Sequence, residues 1–484
     1  VHLEIILTGL MALAVWGLVW RRSLQGPWSW CSPTALFAAG VLLFYIIPSL
    51  YWQFRPWDYP IPPYFEGVPL VLAGALVLGV PFLYGVLTPR PGKPRLKPWP
   101  ARSQARTFNS LAWVFLVPIL LGVGWRLHTI QLGWQSRLER EIPTLLGSTS
   151  LALIASNFSY YYPLCYFALV AFGNRPQRRV GQALWVADGF FMLFTLHRFE
   201  ILIYLFRSAV FLTLLGWKFR RWQKVAGAAL VVFVLAILGQ AGRYAYERVE
   251  VGRLFLEPLE VVEVITEATR GFFTPGIETQ EVRSLSLAEN RVLRVVDYAM
   301  YRLYEARSAS AVMINVPKEI PYFGGETFTQ VLYSFIPRYF WKDKPELWHI
   351  HAVTIWVMPY DIGVNPAGTI AELYMNYGFL AVFLGGIACW WLCRPWEGTL
   401  RRKEDWGPAL ICLYPWFAEL FFVANENLTR RLCEGLRGLM VLALVGLVMR
   451  LALPARRAPR ARVFPAGDPA PPAPGPGETA LEST

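Results

Sequence analysis

Eleven long apolar stretches restrict this chain more than any other feature: 3–20, 34–50, 67–88, 109–125, 149–172, 182–196, 201–217, 225–240, 369–392, 407–424 and 433–453. A bilayer core takes roughly 20 apolar residues per helix, and most of these stretches reach or approach that length. Inside lipid a spanning backbone must satisfy its own hydrogen bonds, which makes stretches of this kind helical. Only 16% of the residues are charged, whereas a soluble domain carries about a quarter, so a soluble enzyme is excluded as the first reading. The expected fold is all-α: a polytopic membrane protein with about eleven transmembrane helices. The sixth and seventh stretches are divided only by His197, Arg198, Phe199 and Glu200, and Arg207 sits inside the seventh.

The formal charge of +13 invites a nucleic-acid reading until its location is examined. Alternate connectors are basic: Arg21 and Arg22; six residues from Arg90 to Arg106; Arg175, Arg178 and Arg179; Lys218 to Lys224; and Arg394 to Lys403. With the tail, these segments hold 24 lysines and arginines against six acids, which covers the whole surplus. Basic residues in short loops mark the cytoplasmic side, so the charge is topogenic and no nucleic-acid partner is needed. This places the N-terminus outside and the C-terminus in the cytoplasm. The first stretch does not read as a signal peptide, because its arginines follow it.

Four regions result: transmembrane helices 1–8 in 1–240, a large outer loop in 241–368, helices 9–11 in 369–453, and a cytoplasmic tail in 454–484. The tail is rich in Pro, Ala and Gly and should be disordered. A structureless loop as long as 241–368 would be unusual, so a small helical subdomain is expected there. Ser286 and Glu289 fit a capping box that starts an amphipathic helix running to about Ala311. At helical spacing Arg291, Arg294, Tyr298, Arg302 and Glu305 form one stripe. The stripe is either a solvated, salt-bridged face or an anion site, since guanidiniums offer forked donors to phosphate oxygens.

Beyond it, Pro317 to Phe328 reads as a turn-rich crossing, and Thr327 to Phe335 as a short amphipathic segment at the membrane interface. Arg338, Tyr339, Phe340, Trp341 and Lys344 then crowd aromatic and cationic groups together. Trp341 and Tyr339 suit interface anchors; Arg338 and Lys344 beside them suit a lipid phosphate. Glu372 and Asn376 share a helix face at the start of the ninth stretch, either solvated or turned into the bundle, where an ionisable group is a functional candidate. His349 and His351 have the ordinary pKa of a general base, although a loop histidine is more often structural. The six cysteines form no C-x-x-C pair, no D-x-D occurs, and no other spacing suits a metal, so neither a metal site nor a cofactor is expected.

One ordered series carries a resemblance. Val316-Pro317, Gly324 to Phe328, Phe335-Ile336-Pro337-Arg338, Trp341 to Pro345, Gly363 to Gly368, and Glu372-Leu373-Tyr374-Met375-Asn376-Tyr377-Gly378 together resemble the bacterial oligosaccharide repeat-unit polymerases, the O-antigen or Wzy-type family. The series covers about residues 316–378; elsewhere the likeness is one of topology. The segment around Arg198 resembles a family turn, with His197 in place of a small residue.

The resemblance implies a GT-C-type glycosyltransferase in the bacterial inner membrane. Such an enzyme moves a growing glycan from undecaprenyl diphosphate to the sugar of an incoming lipid-linked repeat unit. Implied partners are that lipid-linked oligosaccharide, membrane lipid, a chain-length regulator and a flippase. Arg338 is the first choice for stabilising the leaving diphosphate, Lys344 the second, and Arg291, Arg294 and Arg302 the third. Glu372, His349 or His351 would act as base, or Glu372 would instead orient an arginine. Arg198, Trp341, Tyr374 and Asn376 complete the substrate-binding set. An O-antigen ligase would need the same cationic pocket, and a transporter or flippase would need charged or broken helices near mid-membrane.

Overall fold

The computed structural model describes residues 29–54, 162–194, 198–238, 258–273, 291–333, 368–401 and 408–422. It also describes positions 116, 119, 120, 122–124, 240, 241, 336, 341, 428, 429, 431–433, 435 and 436. All lie in one unit, Val1–Gly438; the second, Leu439–Thr484, contains none of them. The expected stretches 3–20 and 67–88, the tail, most of 109–125 and of 433–453, and the first part of 149–172 fall outside the described residues.

Among the described residues every regular element is helical. Three helices are long and apolar enough to cross a membrane: Pro33–Trp52, Arg221–Leu238 and Gly368–Cys389. Pro163–Phe172 and Ile411–Phe422 are shorter apolar helices. These match the expected second, eighth, ninth, fifth and tenth stretches. The sixth and seventh are also helical, in helices that begin with charged residues outside the stretches, Arg175, Arg178 and Arg179 in the one and Arg198 and Glu200 in the other; Asp188 and Arg207 lie within the stretches themselves.

The first crossing consists of α1 (Pro33–Val41), a π turn (Leu42–Ile46) and α2 (Ile47–Phe54). Ser32 caps it, accepting the Ala35 N–H at 3.4 Å, with Pro33 in the first turn where no N–H is needed. The π turn has a cause in Pro48. Proline has no N–H and crowds the carbonyl four residues back, that of Phe44. The Phe44 carbonyl accepts instead from the Glu305 N–H of the outer loop at 3.1 Å.

Next come α3 (Pro163–Phe172) and α4 (Arg175–Phe194), a tight hairpin. Asn174 and Gln177 exchange side-chain-to-backbone bonds of 2.9 and 3.1 Å, a capping box that starts α4. Its exposed Arg175, Arg178 and Arg179 sit at the hairpin tip. Asp188 is buried inside, where Tyr162 and Tyr166 donate to its two carboxylate oxygens. α5 (Arg198–Leu214) packs on α4 through Trp185, whose indole donates to Ser208 at 2.9 Å. α6 (Arg221–Phe233) leads into a second π turn, Val234–Leu238. It exposes Trp222, Val225, Leu230 and Phe233, apolar side chains suited to lipid as the surrounding solvent.

The 241–368 segment is helical where its residues are described, as expected, but differs in detail. It holds α7 (Pro258–Phe273), α8 (Arg291–Leu303), α9 (Ala306–Asn315) and α10 (Glu326–Tyr333). The single helix expected to reach Ala311 is two helices, separated at Tyr304 and Glu305. The separation arises where the Glu305 N–H turns away to Phe44. The Val316–Pro317 peptide is cis.

α11 (Gly368–Arg401) and α12 (Pro408–Phe422) complete the described bundle. A common core joins the two regions: Phe37, Tyr45, Leu303, Val312, Ile370 and Val382 belong to one buried cluster. The described helices of 241–368 and the long apolar helices thus share one core.

Candidate functional site

α11 is not the continuous span that its apolar run suggests. Tyr377 (φ −149°, ψ 28°) and Gly378 (φ 65°, ψ −152°) interrupt it, dividing a first half that carries Glu372 and Asn376 from an apolar second half. Gly378 occupies left-handed backbone, which glycine enters without a side-chain clash. A helix broken inside a crossing leaves carbonyls without partners, and in lipid these must be met by protein.

The Gly324–Phe328 motif meets them. Phe323 N–H donates to the Met375 carbonyl at 3.0 Å and Gly324 N–H to the Asn376 carbonyl at 3.2 Å. Gly325 N–H donates to Asn376 Oδ1 at 3.0 Å. The Asn376 amide donates to Thr327 Oγ1 and to the Glu372 carbonyl, both at 2.7 Å, so both its donor hydrogens and its acceptor are used. The seating is reciprocal. Tyr377 donates to the Gly324 carbonyl and lies over Gly325, where an added Cβ would come within 2.9 Å of its hydroxyl. Tyr322 lies over Gly378 at the same 2.9 Å. Two segments about fifty residues apart, both carriers of the resemblance, therefore form one seam.

Glu372 is fully buried in that seam. Its Oε2 accepts the Thr429 N–H at 3.0 Å; among the described residues its Oε1 has no hydrogen-bond partner. The Thr429 hydroxyl donates to the Thr327 carbonyl at 3.2 Å. Arg431, also buried, donates to Thr369 Oγ1 and to the Leu420 carbonyl, the latter at 2.6 Å. Sequence reasoning missed Thr429 and Arg431. A signal was present: they lie in the short polar run between the tenth and eleventh stretches, which the charge pattern places on the same side as the outer loop.

Tyr374 is buried beside the seam, edge-on to Tyr322 and Phe379 at 6.2 and 5.1 Å. Trp341 is exposed and packs against Tyr333 at 5.7 Å. The α8 stripe lies elsewhere and is only partly a surface. Tyr298 is fully buried against Ala236 and Ile237 of the second π turn. Arg302 donates to the Tyr298 hydroxyl at 2.7 Å and lies over the rings of Tyr298 and Tyr301. Arg294 is half-buried on the same helix. Tyr51 donates to Asp297, binding α8 to α2. Arg198 and Arg291 begin α5 and α8, but their side chains lie outside the described set, as do Arg338, Lys344, His349 and His351 altogether.

A second buried charge pair lies deeper in the bundle. Arg207 on α5 donates to Glu419 on α12 at 2.5 Å, with its guanidinium 4.4 Å from the Trp416 ring centre. The sequence had marked Arg207 as anomalous without finding its partner. Among the described residues, no group of three or more His, Cys, Asp and Glu side chains is placed to hold a metal ion.

No protein-family model, curated protein or solved structure matches this chain.

Proposed function

We propose that the chain is a GT-C-type membrane glycosyltransferase of about eleven spans that polymerises lipid-linked oligosaccharide repeat units. It would work at the outer face of the bacterial inner membrane, with its N-terminus outside and its C-terminus in the cytoplasm. The observation that carries the reading is the seam: Gly324 to Thr327 and Glu372 to Gly378 bond to each other through Asn376. Sequence elements that act together are expected to meet in space, and these do so where an apolar crossing is broken.

In the proposed reaction the bond between the donor sugar's anomeric carbon and the diphosphate oxygen breaks, and a bond from the acceptor hydroxyl oxygen to that carbon forms. The acceptor proton passes to a base, for which His349 and His351 are the candidates, and undecaprenyl diphosphate leaves with the electron pair. Arg338 and Lys344, with Arg291, Arg294 and Arg302 as the further set, would stabilise the leaving charge; fixed cations do so best in a water-poor site. Arg198, Trp341 and Tyr374 belong to the proposed substrate surface. Glu372 has no exposed surface, which supports its orienting role over direct contact with an acceptor hydroxyl. A chain-length regulator and a flippase are the proposed partners.

The test is Arg338→Ala in cells that depend on this chain for polymer. Glycan elongation should fall by roughly 10²-fold or more while lipid-linked single units accumulate. Arg338→Lys, which keeps the charge but loses the planar fork, should also lose most activity. Long glycan at the normal rate in Arg338→Ala would remove this cation from the mechanism.

A second reading, a transporter of the lipid-linked glycan, draws on the Arg207–Glu419 pair and the break at Gly378. Both are features of transport pathways. It predicts lipid-linked units trapped on the cytoplasmic face when the chain is lost, whereas polymerase loss leaves them outside.

A further inference from the structure

The described part of the connector between the last two apolar stretches does more than link helices. We infer that Thr429 and Arg431 are positioning residues of the proposed site, acting through Glu372 and α10. This rests on the polymerase reading above.

Thr429 uses two groups on two different elements. Its N–H holds the Glu372 carboxylate on α11 at 3.0 Å, and its hydroxyl holds the Thr327 carbonyl on α10 at 3.2 Å. Arg431 joins the first turn of α11, at Thr369, to the Leu420 carbonyl in the last turn of α12. Helix-end carbonyls lack internal partners, and a cation there also suits the helix dipole. One short stretch thus connects three helices at the level of the seam.

The chemistry of Glu372 gives this arrangement a direction. Its carboxylate is the acceptor that holds the Thr429 N–H. Glutamine at 372 would keep an acceptor for the Thr429 N–H without burying a charge. Thr327 is therefore held from two sides, by Asn376 of the broken helix and by Thr429, whose own place is set by Glu372 and Arg431. The orientation of α10 depends on this interlock.

The test uses the full-length protein in membranes. Its substrate is undecaprenyl-diphosphate-linked oligosaccharide extracted from cells lacking the chain. Thr429→Val keeps shape and N–H but removes the hydroxyl; it should lower kcat about tenfold, the size of one well-placed hydrogen bond, with KM within about twofold. Thr429→Ser should restore the rate. Equal kcat for Thr429→Val and the unaltered chain, or a Ser variant as slow as the Val variant, overturns the positioning role. Cysteines at 327 and 429, in a chain without its native cysteines, should crosslink on oxidation in membranes; failure to crosslink overturns the interlock itself. If the unaltered chain does not elongate the substrate at all, the polymerase reading is what fails.

Discussion

Asp188 and Asp297 aside, the described residues bury charge in two places, and the two are built differently. Arg207 and Glu419 face each other across α5 and α12 as one ion pair with an aromatic cover from Trp416. Glu372 has no carboxylate-to-guanidinium hydrogen bond of that kind; it is held by a backbone N–H and belongs to a set that includes Asn376, Thr327, Thr429, Arg431 and two glycines. The first arrangement fixes two helices to each other. The second fixes a loop to a bundle, and it does so where a helix has been broken to receive it. An ion pair of this kind can be exchanged for apolar packing with little loss where the replacement side chains fill the same volume. The seam cannot be exchanged so simply, because truncating Glu372, Asn376 or Thr429 takes a partner from a main-chain group of another segment.

The largest effect tests the closed pair. Arg207→Leu or Glu419→Leu alone should destabilise the protein by about 3–5 kcal/mol, since each leaves an uncompensated buried charge. The double variant should recover most of that in thermal unfolding in detergent and should keep glycan elongation. A double variant that is stable yet inactive would transfer functional weight to the pair and favour the transport reading.

A somewhat smaller effect is expected in the seam. Asn376→Leu leaves the Gly325 N–H and Thr327 hydroxyl without their partner and should cost about 1–3 kcal/mol. No apolar change at a second site should rescue it, in contrast to the ion pair. Rescue by Thr327→Val would show that the seam, too, is a closed pair.

The smallest effect concerns the break. Gly378→Ala places a Cβ on left-handed backbone and should cost about 1–2 kcal/mol. The contact with the Tyr322 hydroxyl is at the end of a half-exposed side chain that can shift, so Gly378→Ala combined with Tyr322→Phe should remain close to Gly378→Ala alone. Substantial recovery in that double variant would mean that crowding, not backbone conformation, requires the glycine.

Much of the fold was legible along the chain. The limits of the crossings at Pro33–Trp52, Arg221–Leu238 and Gly368–Cys389 were readable within a few residues from apolar length alone. The helical character of the outer region was readable too. The candidate site was legible as a set of motifs, and Glu372 and Asn376 as a pair on one face. Its assembly was not. Pro48 could have announced an irregular turn near Phe44, but nothing local says that the freed carbonyl meets Glu305. Gly378 could have announced a break, yet an apolar run of that length reads more simply as one span.

Apolar length and residue spacing are properties of neighbouring residues, so the sequence by itself determined which helices are long and apolar enough to cross a membrane and, within a few residues, where they begin and end. Partners are properties of packing. Arg207 finds Glu419 across 212 positions, and Glu372 finds Thr429 across 57. Only the tertiary structure could decide those pairings, because a buried polar group takes the partner that the surrounding helices bring to it, whatever their separation along the chain.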